Sequence, residues 1–178
     1  LSENGRSVTC DYQASTSDGT WNFVLDGRNQ RILVFEGDQI PGDDAVLVLG
    51  QRDFGERADT GAGAELRNPT RTIRLSRQNL YADGTHLFAL TSDGGYLVWD
   101  YSKPGFFDRD QAEEPEEIEP DMHWRAGPIV PDGEPFPYFE DATTIVGDES
   151  FYYVSDRKRH RVLVFRRCLL YTSPSPRD

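Results

Sequence analysis

The sequence predicts an all-β fold made of short antiparallel sheets, and three observations carry that prediction. Similar segments recur three times at one spacing, 65 residues from Asp18 to Asp83 and 65 again from Asp83 to Asp148. Each segment holds two short runs rich in Phe, Tyr, Trp, Val, Ile and Leu, bounded by Gly and Asp, the composition of strands and of the turns that join them. Eleven Pro and sixteen Gly are spread along the chain, and no window keeps the 3.6-residue apolar period of an amphipathic helix.

Taken in order, the first pair of runs is Trp21-Asn22-Phe23-Val24-Leu25 and Ile32-Leu33-Val34-Phe35, entered through Asp18-Gly19-Thr20. The second is His86-Leu87-Phe88-Ala89-Leu90 and Tyr96-Leu97-Val98-Trp99, entered through Asp83-Gly84-Thr85. The third is Phe151-Tyr152-Tyr153-Val154-Ser155 and Val162-Leu163-Val164-Phe165, entered through Asp148-Glu149-Ser150. Phe35 to Trp99 is 64 residues and Trp99 to Phe165 is 66, because the middle turn is one residue shorter. That turn holds Asp93-Gly94, a dipeptide that tolerates positive φ and closes a tight hairpin. The second run of each pair is continuously apolar, which predicts a strand covered on both faces. Ala45–Leu49 predicts a further strand after the first hairpin, and Thr72–Leu75 and Asn79–Tyr81 predict strands before the second. Several strands per unit, repeated side by side, are the signature of β-propeller blades with enlarged loops. The expected organisation is about two and a half blades of antiparallel sheet within residues 1–167, with copies near 8–54, 72–125 and 142–167.

Phe23-Val24-x-Asp26 followed by Asn29-x-Arg31-Ile32-Leu33-Val34-Phe35 resembles the NHL repeat, whose hairpin turn carries Asp, Asn and Arg before an apolar strand. Tyr153-Val154-Ser155-Asp156 with Arg161-Val162-Leu163-Val164-Phe165 repeats the pattern without the Asn. Val46-Leu47-Val48-Leu49-Gly50-Gln51-x-Asp53-Phe54 is similar to a segment of long-blade bacterial NHL proteins. The middle copy departs from the pattern, with Tyr96 where the Arg stands, and the acidic stretch after it takes the place of its outer strand. The resemblance implies a propeller and an extracytoplasmic setting. It says little about activity, because propellers host many unrelated functions.

The net charge is −12, of which residues 108–121 contribute −7. So acidic a chain lacks the Lys and Arg needed to displace counterions from a phosphate backbone, so no nucleic-acid partner is expected. The longest apolar runs are too short for a helix to span a membrane. The last eleven residues, 168–178, match the translation of a transposase-type sequencing adapter and are read as an artefactual tail. Cys10 is then the one cysteine left, and it reads as a small buried residue. On this reading the third copy stops at Arg167, before an outer strand, and Val162–Phe165 keeps an open edge. Uncovering about 400 Å² of apolar surface forfeits on the order of 10 kcal/mol, so these repeats are not expected to form a stable monomer alone.

Candidate site residues have bland readings beside functional ones. Asp26 with Arg31, and Asp156 with Arg161, span two turns at the same five-residue gap. Their recurrence favours turn-bracing ion pairs, worth about 0.2–1 kcal/mol each when exposed, since a catalytic site is normally unique. His86, His123 and His160 raise a metal hypothesis, because the family resemblance includes an amidating lyase with a central zinc held by His. Their spacing of 37 residues does not match the repeat of 65, so no metal site is expected from them. The stretch Asp108–Asp121 reads as a solvated, mobile loop more than a calcium site, since it has Pro115 and Pro120 and no glycine-bearing ligand loop. The basic turn 157–161 reads as a solvated hairpin. No catalytic residue and no cofactor is assigned. The expected function is a binding or scaffolding module for a protein or small-molecule ligand, with a propeller enzyme of the lyase or lactone hydrolase class as the alternative.

Overall fold

The structure is a computed structural model and describes residues 12–27, 29–37, 44–55, 75–92, 94–111, 113–114, 116–124 and 140–167. Cys10, Thr72-Ile73-Arg74 and the tail 168–178 lie outside them. Among the described residues the chain is all-β, with eleven strands in three antiparallel sheets and no α-helix. The first sheet runs β1 (Tyr12–Ser17), β2 (Trp21–Asp26), β3 (Arg31–Glu36), β4 (Leu47–Leu49). The second runs β5 (Leu75–Ala82), β6 (His86–Thr91), β7 (Tyr96–Asp100), β8 (Met122–Trp124), and the third β9 (Ala142–Gly147), β10 (Phe151–Asp156), β11 (Arg161–Arg166). Strand neighbours are consecutive in sequence, so each sheet is a meander, with short turns between the first three strands and longer loops leading to β4 and β8. No helix among the described residues is long and apolar enough to cross a membrane.

The repeat fixes the register. Phe23 pairs with Val34, Phe88 with Val98, and Tyr153 with Val164. A one-residue slip would move every apolar side chain to the opposite face. Gly94, with φ of +81°, supplies the left-handed residue of the short middle turn.

Four expectations need correction. Tyr96 does not stand where the Arg does: Leu25 pairs with Ile32 and Leu90 with Tyr96, so Tyr96 answers to Ile32. The middle copy does have an outer strand: β8 pairs with β7 after the acidic stretch, with Val98 opposite Met122. At three residues it is too short to show a pattern in sequence. Leu75, the one described residue of the first expected run, and the run 79–81 belong to one strand, β5, whose pairing shifts between Leu75 and Leu80. Finally, β11 is covered on one face only, its residues alternating between half-buried and exposed. A continuous apolar run marked the strand correctly but not its surroundings.

The sheets stack in one sense. Phe23, Ile32 and Val34 face the second sheet and pack in one cluster with Leu87, Ala89, Leu97 and Trp99. The opposite face of the second sheet, with Phe88, Tyr96 and Val98, packs against Ala142, Ile145, Tyr152 and Val154 of the third. The rear of the first sheet, with Val24, Leu33, Phe35 and Val48, packs in one cluster with Ala45 and Phe54. The first strands of successive sheets run side by side, β5 against β1 and β9 against β5. Matching polar contacts seal these seams: Ala82 N–H donates to the Thr16 hydroxyl, and the Tyr81 hydroxyl to the Gly147 carbonyl. Gly147 is required there, since a Cβ would sit 2.9 Å from both the Tyr81 hydroxyl and the Tyr152 ring.

Candidate functional site

The turn into each hairpin begins with aspartate, and its Oδ1 caps two turn amides. Asp18 accepts from the N–H of Thr20 and Trp21, Asp83 from Thr85 and His86, and Asp148 from Ser150 and Phe151, all at 2.7–2.9 Å. The second oxygen reaches out of the turn. Asp18 Oδ2 accepts the Tyr101 hydroxyl of the second sheet at 2.7 Å, and that hydroxyl accepts from Gly84 N–H at 2.8 Å. Asp83 Oδ2 accepts from Arg167 Nη2 and the Tyr152 hydroxyl, both of the third repeat. Tyr101 and Arg167 each lie two residues beyond the aromatic that ends the apolar run, Trp99 and Phe165. Equivalent positions therefore latch each repeat onto the aspartate of the one before.

Burial pushes the Asp83 carboxyl up, but the neighbouring His86 ring, the Tyr152 hydroxyl, the His86 amide and Thr85 outweigh it and hold the group well below the usual carboxylate range. A depressed folded pKa adds stability above the unfolded value, about 3.9, and loses it as pH falls through the folded value. The stability gap between the natural chain and Asp83→Asn should therefore stay constant from pH 7 to about 4.5, then narrow in stronger acid. Urea unfolding at several pH values checks this, and a gap that closes near pH 6 would contradict it.

The recurrent Asp and Arg pairs are bracing groups of unequal burial. Arg31 Nε donates to Asp26 Oδ2 at 3.0 Å, Asn29 Nδ2 donates to the same oxygen at 2.8 Å, and Arg31 Nη1 donates to the Phe54 carbonyl at 3.0 Å. Gln51 Nε2 holds the Asn29 carbonyl at 2.7 Å. Residues 50–54 thus fold over the turn, and the Arg31 and Asp26 side chains are 4% and 0% exposed. The pair braces the turn, and because that segment covers it the small energy of an exposed pair does not apply here. In the third repeat Arg161 is 34% exposed, and no described segment plays the covering role.

The acidic stretch is solvated as expected, with Asp108, Asp110, Glu113, Glu114, Glu116 and Glu119 exposed, but it is anchored. Phe107 stacks on Trp21 of the first sheet with ring centroids 3.7 Å apart. The buried Gln111 side chain accepts from Val48 N–H at 2.8 Å and donates to the Val48 carbonyl at 3.1 Å, completing the outer edge of β4 as a strand would. The Ile118 carbonyl accepts from Trp99 Nε1 at 2.9 Å. Between these anchors opens a cleft of about 570 Å³, lined by Arg52, Lys103, Arg109, Glu116, Glu119 and Asp121 among others. Lys103 pairs with Asp121, and Arg109 with Glu116 at 3.5 Å. Such a crevice, with both signs of charge and apolar Phe106 and Ile118 in its lining, suits a polar ligand bearing both donors and acceptors.

The basic turn faces carboxylates of its own chain: Arg157 pairs with Asp141 at 2.7 Å, Arg159 with Glu140 at 3.0 Å, and Arg161 with Asp156 at 3.1 Å. His86 is buried in β6, His160 sits in that turn with φ of 49°, and His123 belongs to β8. Among the described residues no group of three or more His, Cys, Asp or Glu is placed to hold a metal ion.

No protein-family model matches the chain, and no curated protein matches it.

Sequence reasoning used Asp18, Asp83 and Asp148 only as register marks and overlooked Tyr101, Arg167 and Gln111. The common offset of Tyr101 and Arg167 from the repeated aromatic was a usable signal. Gln111 gave none, since its partner is a backbone group 63 residues away.

Proposed function

We propose that the chain is a section of an NHL-type β-propeller that acts as a binding or scaffolding module, with the anchored 101–121 loop and Arg52 forming its recognition cleft. The observation that carries this reading is the Gln111 bridge to Val48. It fixes an enlarged loop of one repeat across the outer edge of the repeat before it, and so gives the cleft a defined wall. Same-sense stacking of the three sheets supports the propeller part. Loops held on a rigid scaffold are where binding residues concentrate.

Selection of a random-peptide display library against the chain, with counter-selection by an Arg52→Glu, Arg109→Glu variant, tests the cleft. Enriched peptides should bind the variant at least tenfold more weakly. Equal affinity for both proteins would remove the cleft from the assignment. Turnover of a lactone panel by the chain would move the assignment to the enzyme alternative.

A further inference from the structure

Arg109 and Glu116 form a loose ion pair in the wall of the recognition cleft. Among the described residues they meet in one approach, Arg109 Nη1 to Glu116 Oε2 at 3.5 Å, and the side chains are 40% and 76% exposed. Arg31, Arg157, Arg159 and Arg161 hold their carboxylates at 2.7–3.1 Å. Lys103 and Asp121, in the same cleft, are committed to the fold, since Asp121 Oδ2 also accepts the Asp100 N–H at 2.7 Å. The backbone beneath the loose pair is nevertheless fixed. Gln111 Nε2 donates to the Glu116 carbonyl at 2.9 Å and to Val48 of β4, and Phe107, two residues before Arg109, stacks on Trp21. Two opposite charges thus stand on held backbone, able to exchange partners, beside Phe106 and Ile118 of the cleft lining.

The geometry points to a free α-amino acid with an apolar side chain as the ligand of this cleft. Its carboxylate takes the Arg109 guanidinium, its ammonium takes the Glu116 carboxylate, and its side chain lies on Phe106 and Ile118. The ammonium nitrogen and carboxylate carbon of an α-amino acid are about 2.5 Å apart, near the 3.5 Å between the two protein groups. Four charges of alternating sign therefore close a ring without opening the pair. One long contact gives way to charge-assisted hydrogen bonds on both sides, and a few placed polar groups beside an apolar floor are what fix a small ligand. A ligand of one sign satisfies one group and repels the other. A peptide fits less well, because its α-amino and α-carboxyl groups are amides except at the two ends. The inference rests on the cleft reading above and narrows it to one ligand class.

Leucine titrated into the full chain, followed by ligand-observed NMR, tests this beside three probes that each lack one part. Leucinamide lacks the carboxylate, isocaproate the ammonium, and glycine the side chain. Leucine should bind at least tenfold more tightly than any of them. Arg109→Gln should weaken leucine and isocaproate severalfold but not leucinamide. Glu116→Gln should weaken leucine and leucinamide severalfold but not isocaproate. A role in shaping the wall alone would lower all the probes alike in both variants, and that result would overturn the inference. Leucine binding no tighter than leucinamide or isocaproate would overturn it as well. If leucine does not bind while display-selected peptides still lose affinity for the Arg52→Glu, Arg109→Glu variant, the cleft stands and the amino-acid assignment falls. If neither binds, both fall.

Discussion

Replacing Trp99 by alanine is expected to lower the unfolding free energy by about 3–5 kcal/mol, the usual loss for a buried tryptophan. Its side chain is 1% exposed in the cluster that joins the first two sheets, and its indole N–H holds the Ile118 carbonyl. The substitution removes sheet-to-sheet packing and one loop anchor together. Against a typical stability of about 5–15 kcal/mol, this is enough to populate unfolded chains. Trp99→Phe retains most of the packing and leaves the Ile118 carbonyl without its donor, so its loss should be nearer 1–2 kcal/mol. Urea denaturation followed by far-UV circular dichroism separates the two, and equal losses would mean that the hydrogen bond, not the packing, dominates.

Arg31→Ala should cost about 3–5 kcal/mol, because it strands the fully buried Asp26 carboxylate without its cation. The Asp26 side chain is 0% exposed, so water cannot easily make up the loss, and one of its oxygens already lacks a hydrogen-bond partner among the described residues. Arg161→Ala strands an equally buried carboxylate, Asp156, but the Arg161 side chain is 34% exposed and Asp156 keeps the amides of Glu140 and Asp141 as donors, so a smaller loss of about 1–2 kcal/mol is expected. The double variant Asp26→Asn, Arg31→Met should recover most of the first loss, since a buried pair replaced as a unit is often near neutral. Equal costs for Arg31→Ala and Arg161→Ala would show that burial by residues 50–54 does not set the difference.

The hairpins were legible because a two-strand unit writes its pattern locally: apolar runs, a turn of fixed length, and an aspartate at the same place in each repeat. The strand from 45 to 49 was visible for the same reason and appears as Leu47–Leu49. What sequence could not supply was the contact between distant segments. β8 is three residues long and comes 22 residues after Asp100, with the charged loop between them. The burial of Arg31 depends on residues 50–54 folding back, and the role of Gln111 depends on Val48. The latch crosses from repeat to repeat with tyrosine in one case and arginine in the next, so identity gave no signal and only position did. Exposure of Val162 and Val164 was hidden because Val162-Leu163-Val164-Phe165 reads the same whether one face or both are covered.

The bridge from Gln111 to Val48 also sets an order of events during synthesis. The edge of β4 is completed by a side chain made 63 residues later, which at about 5–20 residues per second is a delay of roughly 3–13 s. Before then only water or another chain can bond the outward amide and carbonyl of Val48, and a bare strand edge is a template for pairing with other chains. The glutamine thus acts as a late fastener, and the exposed carboxylates that accompany it arrive at the moment the edge is sealed.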